Sequence, residues 1–231
     1  MSDAWLPGAK RLWDSTDGGP LNGGAPRVVW QTLGADPRAM SAGSAAESLD
    51  QLCRAPHLVW NPVQGEIVQL ISVLRAGRLL GTPEDLSQMA PPQPGADADR
   101  LAEANAEGRL CVQIGVVAFP WDPFTSWSMT GLRRILDWLD SWGIPRRWPA
   151  GAPAPFPHGL TTCGDRRTWA KGGYFGASQV PGLTAAGPGA IDVEQLTAGA
   201  EGKASAANAG GLHAYLGNGH AAGSGALSRV G

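Results

Sequence analysis

The chain has 231 residues and a formal net charge of −2 at pH 7. That size fits one domain with appendages, and that charge leaves no electrostatic footprint for nucleic acid or an anionic membrane surface. Glycine supplies 33 residues, about twice the usual share, so much of the chain is loop. There are ten Trp and only two Tyr; such indoles either wall a groove or fill a modest core. The three cysteines, Cys53, Cys111 and Cys163, lie far apart without CxxC spacing. They read as reduced thiols rather than a disulfide framework, and no convincing base accompanies any of them as a nucleophile.

Residues 1–25 are rich in Gly, Pro and Asp and read as an irregular arm. The opening MSDAWLPGAKRLWDSTDGG has no long apolar run, so it reads as neither a secretory signal nor a membrane anchor. The expectation is synthesis in the cytoplasm, and action outside the cell would need another route of release. RVVWQTL (Arg27–Leu33) is a strand: β-branched, short, and closed by Gly34 and Pro37. SAAESLDQLCR (Ser44–Arg54) reads as a short helix. PHLVWNP and GEIVQLISV are two strands joined by an Asn-Pro-x-x-Gly turn, which predicts a hairpin.

Residues 82–99, rich in Pro and acid, read as a long loop, and Ala98–Glu107 as a helix. RLCVQIGVVAF (Arg109–Phe119) is nearly all apolar, as for a central strand buried on both faces. TGLRRILDWLDSWG is the clearest helix. Leu132, Ile135, Leu136 and Leu139 fall on one face, and Gly143 with Pro145 stops it. RRWPAGAPAPFPHG is a rigid Pro-rich crossing, after which GYFGASQVPGLTAAGPGAID (Gly173–Asp192) closes the domain. Beyond about Gln195 the composition shifts to Ala and Gly, read as a flexible tail. The expected organisation is an arm over 1–25, a domain over 26–195 and a tail over 196–231. The fold class is α/β: a single mixed sheet of about five strands flanked by helices.

Five stretches, RVVWQT, PHLVWNPVQGEIVQL, GRLCVQIGVVAF, GLRRILDWLDSWGIPRRWPAG and GGYFGASQVPGLTAAGPGAID, occur in that order and at sensible spacing. Together they resemble the zinc-dependent N-acetylmuramoyl-L-alanine amidases, the group that includes the peptidoglycan recognition proteins, and above all endolysin-like members from actinobacteria and their phages. The resemblance covers about Trp5 to Asp192. The set is specific, although any one stretch alone would be weak.

The resemblance implies zinc ligands at three positions, occupied in this chain by Gln31, Ala177 and Gly187. It implies a proton acceptor in the buried central strand, where Gly115 stands, and an oxyanion-steadying residue where Ala185 stands. Zinc hydrolases need three ligating side chains and an open position for water, whose pKa the metal lowers to about 7. Ala177 and Gly187 offer no ligating side chain, and Gln31 offers only a neutral amide oxygen. Gly115 and Ala185 offer no titratable group. These substitutions fall on the chemistry while turn glycines, prolines and core strands remain, a pattern of selective loss rather than drift. No cofactor is therefore expected.

Other chemistries fare no better. His57 begins a strand and reads as structural or as a groove wall, His158 as a loop residue, and His213 and His220 lie in the tail. Ser178 lacks a nucleophile-elbow pattern, and no P-loop or dinucleotide fingerprint appears. A groove can still bind without cutting. Trp30, Thr32, Asn61, Trp121, Ser178 and Gln179 are its candidate walls, with indoles to stack on sugar rings and amides or hydroxyls to meet a peptide; for Trp30 and Trp121 the competing reading is core. The leading reading is a catalytically inactive, amidase-like pseudoenzyme that binds peptidoglycan or muropeptide. One alternative is a structural or interaction protein whose partner is another protein. The other is an active amidase with relocated zinc ligands.

Overall fold

The run Arg27–Thr32 forms a strand (β2) with a parallel partner on each side, Cys111–Val116 (β5) and Gly173–Gly176 (β6). A strand in that position is covered on both faces, which is why Val28, Val29 and Trp30 are all fully buried and the run is apolar rather than alternating. The computed structural model describes residues 2–80, 104–161 and 164–198. Leu58–Trp60 (β3) and Ile67–Gln69 (β4) form the expected antiparallel hairpin, and β3 pairs in parallel with β5. Lys10–Arg11 (β1) adds in parallel to β4, giving a single mixed sheet in the order β1-β4-β3-β5-β2-β6.

The sheet thus has six strands rather than about five, and the extra one lies in the arm read as irregular. A buried side chain seats that arm. Gln69 accepts from the Leu6 amide at 2.6 Å and donates to the Ala4 and Ile71 carbonyls at 3.0 and 2.9 Å. With Leu6 buried and the Trp138 indole N–H donating to the Asp3 carbonyl, the arm belongs to the domain.

Helices cover both faces. Ala42–Gln51 (α1), capped by Ser41, lays Ala42, Ala45 and Ala46 against Val59, Val68 and Val117. Leu132–Ser141 (α2) lays Leu132, Ile135, Leu136, Trp138 and Leu139 on the opposite face, against Trp30, Trp60, Ile114 and Phe124. The strand alternation explains the split, since Leu58 and Trp60 join one cluster and Val59 the other. Arg166–Trp169 (α3) buries Trp169 against Val29 and Phe175, and Val193–Thr197 (α4) buries Leu196. The compact unit therefore runs to Thr197, two residues past the expected boundary. Helix α1 starts earlier than expected, because Ser41 rather than a later residue caps it. Residues 104–106 are helical within the expected Ala98–Glu107 helix. Glu107 lies just past it, and residues 98–103 of that helix, the 82–99 loop and the tail from 199 lie outside the described residues.

Trp30 is a core residue. Its ring packs on Trp60, Phe124 and Tyr174 at centroid distances of 6.2, 6.2 and 6.3 Å, fully out of solvent. Asn61 is also fully buried, where it shapes the hairpin turn. Its side-chain oxygen accepts from the Val63 and Gln64 amides, and its nitrogen donates to the Pro37 and Met40 carbonyls. Neither residue is a groove wall.

Candidate functional site

The carboxyl end of a strand in a parallel sheet is where bound groups usually sit. There, residues 31–34 leave β2 beside residues 183–187, and the two segments line a cavity of about 290 Å³ completed by Arg54, Pro120 and Trp121. Trp121 is 59% exposed, so most of the ring is open to a ligand. Phe119 stacks on it at 4.6 Å and 15°, and Phe156 meets it edge-on at 5.4 Å, so the rim is a fixed aromatic platform. Two polar atoms among the lining residues, Gln31 Oε1 and Thr32 Oγ1, are buried with no hydrogen-bond partner. Leaving such an atom unmatched costs about 1–3 kcal/mol, so both suit an incoming group that brings its own donors or acceptors.

The residues at the positions that the resemblance assigns to zinc do not fit the metal. Gln31 lines the cavity, yet it offers only a neutral amide oxygen. Gly187 is pressed against β2: a Cβ there would lie 2.5 Å from Thr32 Oγ1 and 2.9 Å from the Thr32 amide nitrogen. The Ser178 amide holds that segment in place by donating to the Gly187 carbonyl at 2.8 Å. Ala177 is fully buried in an apolar cluster with Val29, Trp169, Phe175 and Val180. Among the described residues no group of three or more His, Cys, Asp or Glu side chains is arranged to hold a metal ion.

The two positions that the resemblance assigns to proton chemistry are Gly115 and Ala185, and neither carries a titratable group. Gly115 lies opposite Gln31 in the β2–β5 register. A Cβ on it would meet Leu33 Cδ2 at 3.1 Å, so the half-buried Leu33 side chain packs on Gly115 and would have to shift by a few tenths of an ångström for a larger residue. Ala185 lines the cavity without a donor or a titratable atom. Arg54 is the one titratable side chain among the described lining residues, and a guanidinium does not serve as a base.

Of the expected wall residues, the structure brings Thr32 and Trp121 together at this cavity. Ser178 and Gln179 line a different cavity of about 310 Å³ with Asp165 and Thr168. The Gln179 amide is engaged internally: its oxygen accepts from the Trp148 indole at 2.7 Å and the Gly176 amide at 3.0 Å, and its nitrogen donates to the Gly151 carbonyl at 2.8 Å. It ties β6 to the Pro-rich crossing. Leu33, Arg54 and Thr184 also line the cavity and were not singled out in the sequence. Their only signal was position, at the ends of the first strand and helix and inside the closing segment.

His57 is structural. Nδ1 accepts from the Gln113 amide at 3.0 Å and Nε2 contacts the Arg75 carbonyl at 2.9 Å, so Nε2 carries the proton and both ring nitrogens are taken. Burial pushes its pKa down to about 4, opposed by the hydrogen bond to Arg75 and the charge of Asp17. His158 is exposed; the next residue, Gly159, packs on the Ala185 and Ala186 carbonyls behind the rim. His213 and His220 lie outside the described residues. Burial raises the Cys111 thiol to about 12, which keeps it protonated and inert. Cys53 is exposed and free, and Cys163 lies outside the described residues.

No family model and no curated protein matches the chain. Among solved structures, it is similar to the "Endolysine N-acetylmuramoyl-L-alanine amidase LysCS" from Clostridium intestinale URNW, at 13% identity and a TM-score of 0.46, over 84% of this chain and 96% of that one. It is also similar to "N-acetylmuramoyl-L-alanine amidase LysC" from the same organism, at 13% identity and a TM-score of 0.45, over 83% of this chain and 96% of that one.

Proposed function

We infer that the chain is an amidase-like pseudoenzyme, which binds peptidoglycan or a muropeptide at the carboxyl end of β2 without cleaving it. One observation carries the inactive half of the reading. The positions where the resemblance implies ligands and a base are filled by packing: Gly187 lies against Thr32, Leu33 packs on Gly115, and Ala177 belongs to an apolar cluster. Restoring a ligand at Gly187 would require the neighbouring strand to move as well as the side chain to be replaced. What supports the binding half is the cavity itself. An exposed, pre-stacked indole beside a buried unmatched amide oxygen and hydroxyl suits a ligand that joins a sugar ring to a peptide stem.

Pull-down on purified cell walls tests both halves together. The expected result is retention that falls about tenfold or more in Trp121→Ala, the loss of one well-stacked aromatic contact with its buried area, with no release of free amino groups from the wall. Release of amino groups by the purified protein would restore the active-amidase reading. Absence of wall binding would favour the reading as an interaction protein built on this scaffold.

A further inference from the structure

The opposite edge of the sheet carries a second aromatic surface that the cavity does not use. β1 is the edge strand, and the chain on either side of it brings Trp5 and Trp13 together at a centroid distance of 6.3 Å and a tilt of 39°. Arg11, on β1 between them, holds its guanidinium 4.7 Å from one ring centre and 5.6 Å from the other. The cation thus fixes both indoles, while Trp13 stays 67% exposed. Trp13 is therefore part of a paired aromatic surface rather than a lone exposed ring.

Beside the rings lies a cavity of about 220 Å³ that Asp14, Ser15, Asp17, Ser72 and Arg75 also line. Its polar groups are fixed in advance. Asp17 is gripped by Arg75 through two hydrogen bonds of 2.9 and 3.0 Å, and it accepts from the Gly19 amide as well. Asp14 adopts a left-handed backbone conformation with φ of 70°, uncommon for a residue with a side chain, at the bend that leads Ser15 into the cavity. Ser15 Oγ is buried there with no hydrogen-bond partner.

The geometry points to a carbohydrate subsite: Trp13 stacks on the apolar face of a pyranose in an oligosaccharide, and Ser15 Oγ meets a ring hydroxyl. An exposed indole face with polar side chains beside it suits a sugar, whose faces are apolar and whose edge is a belt of hydroxyls. This subsite is separate from the cavity at β2 and does not depend on it.

Titration of the full chain with the β-1,4-linked tetramers of N-acetylglucosamine and of glucose, followed by ligand-observed NMR and calorimetry, tests the assignment and separates the two sources of such a ring. Saturable binding of at least one tetramer is expected. It should fall about tenfold or more in Trp13→Ala, weaken severalfold in Ser15→Ala, survive in Trp13→Phe, and stay unchanged in Trp121→Ala. Trp13 is exposed and Ser15→Ala removes one atom, so both variants are expected to fold, and circular dichroism checks that they do. No saturable binding of either tetramer at millimolar concentration overturns the proposal. So does binding that survives Trp13→Ala, or binding lost only in Trp121→Ala, which would assign the sugar to the cavity at β2 instead.

Discussion

Gly187→Ala adds one methyl at the point where residues 183–187 touch β2, and the structure fixes the sign of its effect. The residue is not in a left-handed conformation, so its backbone admits alanine. With room available, the change would stabilise by about 0.4–1 kcal/mol, because alanine restricts the unfolded chain. There is no room. The added carbon would lie 2.5 Å from Thr32 Oγ1 and 2.9 Å from the Thr32 amide nitrogen, and the second of these is strand backbone that β5 holds in register. Forcing a carbon into a packed site costs about 1–3 kcal/mol, so the net loss should be about 1–2 kcal/mol. Urea denaturation of the full chain measures it as a shift of midpoint at constant slope. The double variant Thr32→Ala/Gly187→Ala should recover part of the loss, since it removes the nearer of the two atoms. A neutral or stabilising Gly187→Ala would refute the reasoning. It would mean that the rim stands away from β2 and that a carboxylate could have been accommodated there.

Two further predictions concern the metal and pH. Restoring ligand-type side chains in Gln31→His/Ala177→His/Gly187→Asp should leave the protein without stoichiometric zinc by elemental analysis after dialysis, because the Ala177 site is apolar and closed and the Gly187 site has no space; one zinc per chain would show that the scaffold still holds the ligand geometry. His57, held neutral by burial with its pKa near 4 against an ordinary value of 6.5, takes up a proton in the unfolded chain before the folded one. Its contribution is therefore complete above pH 6.5 and drains away as the pH falls towards 4. Stability should drop by about 2 kcal/mol between pH 7 and pH 5, a window above most carboxylate titration, and the drop should be smaller in His57→Gln. Equal pH slopes for the two proteins in urea denaturation would overturn that assignment.

The elements that were legible in the sequence are those whose cause is local. β2, β5 and the β3–β4 hairpin announce themselves through β-branched apolar runs and the Asn61 turn, and α2 through its spacing of Leu132, Ile135, Leu136 and Leu139. β1 was not legible, because Lys10 and Arg11 are both exposed and the groups that seat the arm, Gln69 and Trp138, lie far off in the chain. The groove residues divided for the same reason. Asn61 carried a turn signal that outweighed its appearance as a polar wall. Trp30 lies in a strand apolar on both faces, which already favours core over groove. Trp121 follows the end of such a run and precedes no element of its own, which is why it reaches solvent. No local pattern distinguishes Ser178 and Gln179 facing one cavity from Thr32 facing another, since that depends on how residues 177–179 turn after β6.

On the proposed reading, the positions that the resemblance assigns to chemistry are taken up by packing rather than left as hollows. Loss of a metal ligand alone leaves a polar hollow, which must be filled or it destabilises the fold. Here each position has its own filler: strand backbone against Gly187, the Leu33 side chain over Gly115, and aromatic packing around Ala177. What stays open is the outer part of the site, where Trp121 stands and where Gln31 and Thr32 keep unmatched polar atoms. The exposed Trp121 indole therefore carries the binding half of the proposed reading, and Trp121→Ala is the variant that tests it.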